Sequence, residues 1–141
     1  QLVADAQDKK NHTKRQRAER YLKMLDAGGS IPREYPRYPV QVWRLGDGPF
    51  WVSLGGEVVV DYGLRVKKEL AGPRPVWVTG YANDVMAYIP SERVLKEGGY
   101  EGDTSMLPYG QPSKWQAGLE EKVVGKVREL AADLSPRNTR N

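Results

Sequence analysis

Two adjacent glycines, Gly55 and Gly56, place the strongest constraint on this chain. An apolar run, Phe50-Trp51-Val52-Ser53-Leu54, leads into them, and Glu57 opens an amphipathic run that continues to Leu70. The pattern predicts a strand, a tight turn and a helix over 57–70. Its first side chain is then an acid, which the positive end of the helix dipole favours. Val59, Tyr62, Gly63, Val66 and Leu70 recur at helical spacing. Lys67 and Lys68 suit the last turn, and Ala71-Gly72-Pro73 ends it. Pro75 to Gly80 reads as the next strand, so residues 50–80 form a βαβ unit. If the two strands are parallel neighbours, their carboxyl ends point toward residues 55–57 and 80–84. In open α/β sheets, that edge is where sites form.

Around this unit the expected class is α/β: a mixed sheet of about three to five strands, flanked by N- and C-terminal helices. Val40 to Leu45 alternates apolar and polar residues, and the Gly46-Asp47-Gly48-Pro49 turn joins it to the 50–54 strand as a hairpin. Residues 4–27 read as one helix with Ala18, Tyr21, Leu22 and Leu25 on its stripe, stopped by Gly28-Gly29. Pro32, Pro36 and Pro39 make residues 30–39 an extended linker whose tyrosines pack or face a partner. Residues 81–110 are loop-rich, which suggests function. They are interrupted by a short helix capped by Ser91, with Val94 and Leu95 inward. A last helix is expected over 114–134, with Leu119, Val123, Val127, Leu130 and Leu134 as its stripe. The organisation is therefore a basic helix over 1–29, an α/β body over 30–134 and a polar, disordered tail over 135–141.

Composition removes several function classes. Among 141 residues there is no cysteine, so disulfides, thiol nucleophiles and cysteine-based zinc sites are excluded. The single histidine, His12, sits among Lys10, Asn11, Thr13 and Lys14 and reads as exposed, so the chain cannot build a multi-histidine metal site by itself. The formal charge is +4, and much of the excess lies in Lys9, Lys10, Lys14, Arg15, Arg17, Arg20 and Lys23. Asp5, Asp8, Glu19 and Asp26 are interleaved with these, which fits a solvated helix face, and nucleic acid is not an expected partner. No apolar run is long enough to cross a membrane. No signal peptide is visible from Gln1, and the missing initiator methionine suggests a trimmed or cut chain.

The chemistry-bearing residues cluster at the predicted sheet edge. Glu57 stands at the strand-to-helix turn, Tyr81, Asn83, Asp84 and Tyr88 follow the next strand, and Tyr100 and Glu101 lie in a glycine-rich loop. A carboxylate with phenols can bind a metal, polarise a carbonyl or hold a sugar. Taken alone, each tyrosine reads first as a core or packing residue, and Asn83 and Asp84 read equally as turn formers.

One resemblance narrows these alternatives. Gly55-Gly56-Glu57, then Gly80-Tyr81-Ala82-Asn83, Tyr88-Ile89-Pro90-Ser91 and Gly99-Tyr100-Glu101-Gly102 resembles, in order and spacing, the later part of the neutral/alkaline (non-lysosomal) ceramidase catalytic domain. The similarity runs from about Asp26 to Leu130, and Asp26-Ala27-Gly28-Gly29-Ser30 is similar to the bacterial branch. The resemblance implies a zinc-dependent amidohydrolase that cleaves the N-acyl amide of ceramide-type lipids. Glu57 and Tyr88 match its glutamate and tyrosine zinc ligands. Tyr100 matches a catalytic tyrosine facing the amide carbonyl, and Tyr81 and Asn83 fall at substrate-binding positions. The family's two histidine ligands lie upstream of the matched stretch. The expectation is thus a C-terminal portion of such a domain, inactive alone and holding zinc weakly or not at all. The face normally covered by the remainder would then be open to self-association. Family members are often secreted or at the cell surface. The competing expectation is a non-enzymatic interaction module that uses the basic helix and the Pro/Tyr linker.

Overall fold

The α/β fold follows from two local periodicities that meet on one core. In the computed structural model, which describes residues 1–134, period-two burial makes strand β1, Val40–Arg44, and the apolar run makes strand β2, Phe50–Leu54, buried from Val52 onward. They pair antiparallel with Val42 opposite Val52 and Trp43 opposite Trp51. A two-residue strand β3, Glu57–Val58, leads into helix α3, Val60–Glu69, and the chain returns as strand β4, Val76–Thr79. Strand β4 lies parallel to β2, with Trp51 opposite Trp77, so the βαβ unit is present in a mixed sheet of order β1-β2-β4. A second, two-stranded parallel sheet pairs β3 with β5, Tyr88–Ile89.

The alternation sorts the three-stranded sheet into two faces. Val52 and Leu54 are buried, and Val40, Val42, Val76 and Val78 pack beside them against Tyr62 and Val66 of α3. Helix α6, Leu119–Asp133, adds Val123, Val124 and Val127 to the same core. Burial of each such side chain stabilises the fold by about 1.5–3 kcal/mol. The other face carries Gln41, Trp43, Trp51, Ser53, Trp77 and Thr79, and its three tryptophans stand 55%, 41% and 56% exposed.

Three element boundaries differ from the sequence reading. Glu57 does not start a helix. Its N–H donates to the Ala87 carbonyl at 2.9 Å and that of Val59 to Ile89 at 3.2 Å. The β-branched run Val58-Val59-Val60 favours that extended start, and the helix begins only at Val60. The expected helix over 4–27 is two helices, α1 (Leu2–Ala6) and α2 (His12–Asp26). Between them the Asp8 carboxylate accepts from the N–H groups of Lys10 and Asn11, and the Asn11 side chain caps α2 at Lys14. Such side-chain bonds offer the backbone an alternative to the helix. Helix α6 starts at Leu119 rather than 114, because Gly118 is left-handed at φ +90°. Ser91 does cap a short helix, α4 (Glu92–Glu97), accepting from the Val94 N–H at 3.2 Å. The polar tail expected over 135–141 lies outside the described residues.

Two more segments position the edge. Helix α2 buries Ala18 and Tyr21, while Leu25 on the same predicted stripe is 41% exposed. The Tyr21 hydroxyl donates to the Gly110 carbonyl at 3.0 Å, and Arg20 bonds the same carbonyl. In the proline-rich linker the Tyr38 hydroxyl donates to the Gly55 carbonyl at 2.7 Å, and that of Tyr35 to Asp84 at 2.5 Å. Both linker tyrosines therefore brace the glycine turn and the loop that follows β4. No helix among the described residues is long and apolar enough to cross a membrane.

Candidate functional site

The glycine turn is what brings the edge together. Gly56 sits at φ +70°, and a Cβ there would meet Ile89 Cγ1 at 2.6 Å and the Ala87 carbonyl oxygen at 2.8 Å. Only glycine accepts both that backbone and that approach. The turn is stitched to the loop after β4 through Gly56 N–H to Asp84 O (2.7 Å), Tyr81 N–H to Gly56 O (2.8 Å) and Ala82 N–H to Leu54 O (3.0 Å). These bonds hold Tyr81 and Asn83 in left-handed conformations, at φ +57° and +67°. Such a backbone costs a non-glycine residue on the order of 1–3 kcal/mol and persists only where its surroundings enforce it.

From this frame three tyrosines reach one carboxylate and a fourth packs beside them. Glu57 on β3 lies directly beside Tyr88 on β5 in the parallel register. The Tyr109 hydroxyl donates to Glu57 Oε2 at 3.3 Å, and the Tyr81 and Tyr88 hydroxyls reach the same carboxylate. The Tyr88 ring takes Tyr100 edge-on at 5.4 Å and Tyr109 edge-on at 6.2 Å. Tyr100 is carried by a single helical turn, α5 (Gly99–Gly102), entered through Gly98 and Gly99 at positive φ. Gly102 closes it against α4, where a Cβ would meet the Val94 carbonyl oxygen. Behind Tyr88, its carbonyl accepts from the Trp115 indole at 2.8 Å.

The electrostatics are those of a shared proton network. Burial pulls the Glu57 pKa upward, but the three phenol donors outweigh it and hold the group below its ordinary value. Their own pKa values move the other way. The adjoining Glu57 carboxylate pushes Tyr81 up to about 12 and raises Tyr88 further still. Burial, then the Glu57 charge, raises Tyr109. At neutral pH the cluster is one ionised carboxylate served by neutral phenols. It can accept a cation at the carboxylate and present O–H donors to a carbonyl or hydroxyl at its rim. Tyr81 and Tyr100 form that rim, 58% and 56% exposed.

Of the residues singled out from sequence, Glu57, Tyr81, Tyr88 and Tyr100 come together. Asn83 stands apart from them: its amide donates to Gln41 Oε1 at 3.2 Å, on the tryptophan face of the sheet. Glu101 is exposed, and Asp84 is engaged by Tyr35. Sequence reasoning missed Tyr109. The Pro108-Tyr109-Gly110 turn was the available signal, but its docking depends on α2 gripping Gly110. For zinc, Glu57 and Tyr88 supply two neighbouring oxygen donors, half of a tetrahedral set. Among the described residues no group of three or more His, Cys, Asp and Glu side chains is placed to hold a metal ion. His12 is exposed at the start of α2. Two oxygen donors alone do not complete a tetrahedral zinc set.

Comparison of the chain with protein-family models, with curated proteins and with solved structures gave no match.

Proposed function

We propose that the chain carries the glutamate–tyrosine part of a ceramidase-like zinc amidohydrolase site, acting on the N-acyl amide of ceramide-type lipids. The supporting observation is the convergence of Glu57, Tyr88 and Tyr100, contributed by three separate segments, at the carboxyl edge of the βαβ unit. In this reading Glu57 and Tyr88 hold the metal together with two histidines from outside the chain. When bound, zinc supplies Lewis acidity toward the amide carbonyl. Tyr100 offers its exposed phenol O–H to the amide oxygen as negative charge develops there. Tyr81 and Tyr109 keep Glu57 ionised and fixed in orientation, while Tyr81 also forms the substrate rim.

The test is metal analysis and an amidase assay with a fluorescent N-acylsphingosine, on this chain and on the longest product of its gene. Zinc and activity are expected in the longer product, with Glu57→Gln and Tyr88→Phe each lowering zinc occupancy at least about tenfold. Undiminished zinc in both variants would remove the proposal.

A further inference from the structure

The carboxylate–phenol cluster leaves unexplained the opposite face of the three-stranded sheet. Trp43, Trp51 and Trp77 occupy one row straight across β1, β2 and β4, since Trp51 is the register partner of both others. All three are exposed. The Trp51 indole is pinned, donating to Thr79 Oγ1 at 2.8 Å. Among the described residues, the indole N–H groups of Trp43 and Trp77 have no partner within the chain. One row nearer the carboxyl edge, the Asn83 amide donates to Gln41 Oε1. That bond leaves the Gln41 amide N–H groups as donors and the Asn83 carbonyl oxygen as an acceptor.

No charged residue occupies an outward position on these strands. Arg44 belongs to the helix-covered side and donates to the Leu134 carbonyl at 2.9 Å. The area is small as well. With strands about 4.8 Å apart and residues advancing about 3.3 Å, the row is about 10 Å wide on a face about 16 Å long. A stable protein interface takes roughly 800 Å² from each partner, so a second copy has too little surface here. A lipid surface with anionic headgroups would find no cation at the outward positions of these strands. What matches is a neutral ligand with flat C–H faces and hydroxyls along its edges. The electron-rich indole faces receive the C–H groups, and the amide pair and free indole N–H groups receive the hydroxyls.

We infer that the Trp43–Trp51–Trp77 row and the adjoining Gln41–Asn83 pair form a platform that binds a neutral oligosaccharide. The pinned Trp51 ring keeps the ordering cost of binding low. The inference stands on the sheet face alone and holds whether or not the edge cluster is an amidohydrolase site.

The experiment is a titration of the 141-residue chain with cellohexaose, chitohexaose and maltohexaose, read by tryptophan fluorescence and calorimetry. Saturable binding of at least one sugar is expected at up to millimolar concentration. Trp77→Ala and Asn83→Ala should each weaken it about tenfold or more, and Leu64→Ala, an exposed apolar residue on α3, should not. Trp77→Phe, with a smaller loss, covers any folding defect in the alanine variant, and circular dichroism checks all four. No saturable response to any of the three sugars, or equal binding by Trp77→Ala, overturns the proposal. So does a fluorescence shift on phosphatidylcholine vesicles without a sugar response, which assigns the face to lipid. Concentration-dependent sedimentation abolished by Trp51→Ser, again without sugar binding, assigns it to self-association and overturns it equally.

Discussion

Two aromatic surfaces flank the βαβ unit, one on the three-stranded sheet and one around the β3–β5 pair, and they are built in opposite ways. At the carboxyl edge, Tyr81, Tyr88 and Tyr109 come from three separate segments and bond one carboxylate, and Tyr100, from a fourth, packs edge-on against Tyr88. On the open face, Trp43, Trp51 and Trp77 come from three strands and turn outward without touching a charge. The edge depends on loop backbone held at positive φ and on long-range bonds from α2 and the linker. The face needs only the pleat and the strand register, because side chains alternate strictly along each strand. A site assembled from loops should therefore be fragile and chemically tuned. One assembled from strand alternation should be robust and chemically plain.

Gly56→Ala is the harshest test of that contrast. The added methyl would meet Ile89 and the Ala87 carbonyl at a residue held at φ +70°. The cost should be about 3 kcal/mol or more, from backbone strain and overpacking together. Urea denaturation should show the midpoint falling sharply or native structure lost. A midpoint equal to that of the parent chain would mean that the turn does not hold the edge.

Glu57→Gln should act next most strongly, and on titration rather than on the fold. Ultraviolet titration should show Tyr81 dropping from about 12 toward the ordinary tyrosine value near 10, with Tyr88 following. The pH dependence has two arms. The folded pKa of Glu57 is lowered, so its contribution to stability is complete above its unfolded value and is lost as pH falls through the lowered one. The folded pKa values of Tyr81 and Tyr88 are raised. Their contribution is complete below about 10 and is lost as pH rises through the raised values. Glu57→Gln should flatten both arms. An unchanged alkaline titration would show that the phenols do not share this carboxylate.

Trp51→Phe on the open face should be the mildest. It removes the indole bond to Thr79 from an exposed position. The expected change in stability is within about 0.5 kcal/mol, measured by the same denaturation. A loss as large as that of Gly56→Ala would make the face a structural element and erase the distinction between the two surfaces.

The two surfaces also differ in how far they could be read in advance. The β1–β2 hairpin, the βαβ unit and the Ser91 cap were legible because each rests on neighbours in sequence: a turn, a helical stripe, a hydroxyl three residues before the N–H it accepts. Glu57, Tyr81, Tyr88 and Tyr100 were legible as candidates from residue type and spacing. The conformation at Glu57 was not. Its amphipathic run continues into a real helix, and only pairing with Ala87 and Ile89 draws the first residues into a strand. Tyr109 was hidden for the same reason, since its place is decided by contacts with Glu57 and Tyr88 far away in the chain.

The sequence by itself determined the class of the fold, through period two over Val40 to Leu45, the apolar run from Phe50 to Leu54 and helical spacing through Tyr62 and Val66. It also determined, through one histidine and no cysteine, that the chain alone cannot assemble a multi-histidine or thiolate metal site. Tertiary structure alone decided which aromatic side chains share a surface. Strand register aligns Trp43, Trp51 and Trp77 in one row, and β3–β5 pairing sets Glu57 beside Tyr88. Both depend on which backbone donors find which distant carbonyls, and local spacing does not carry that information.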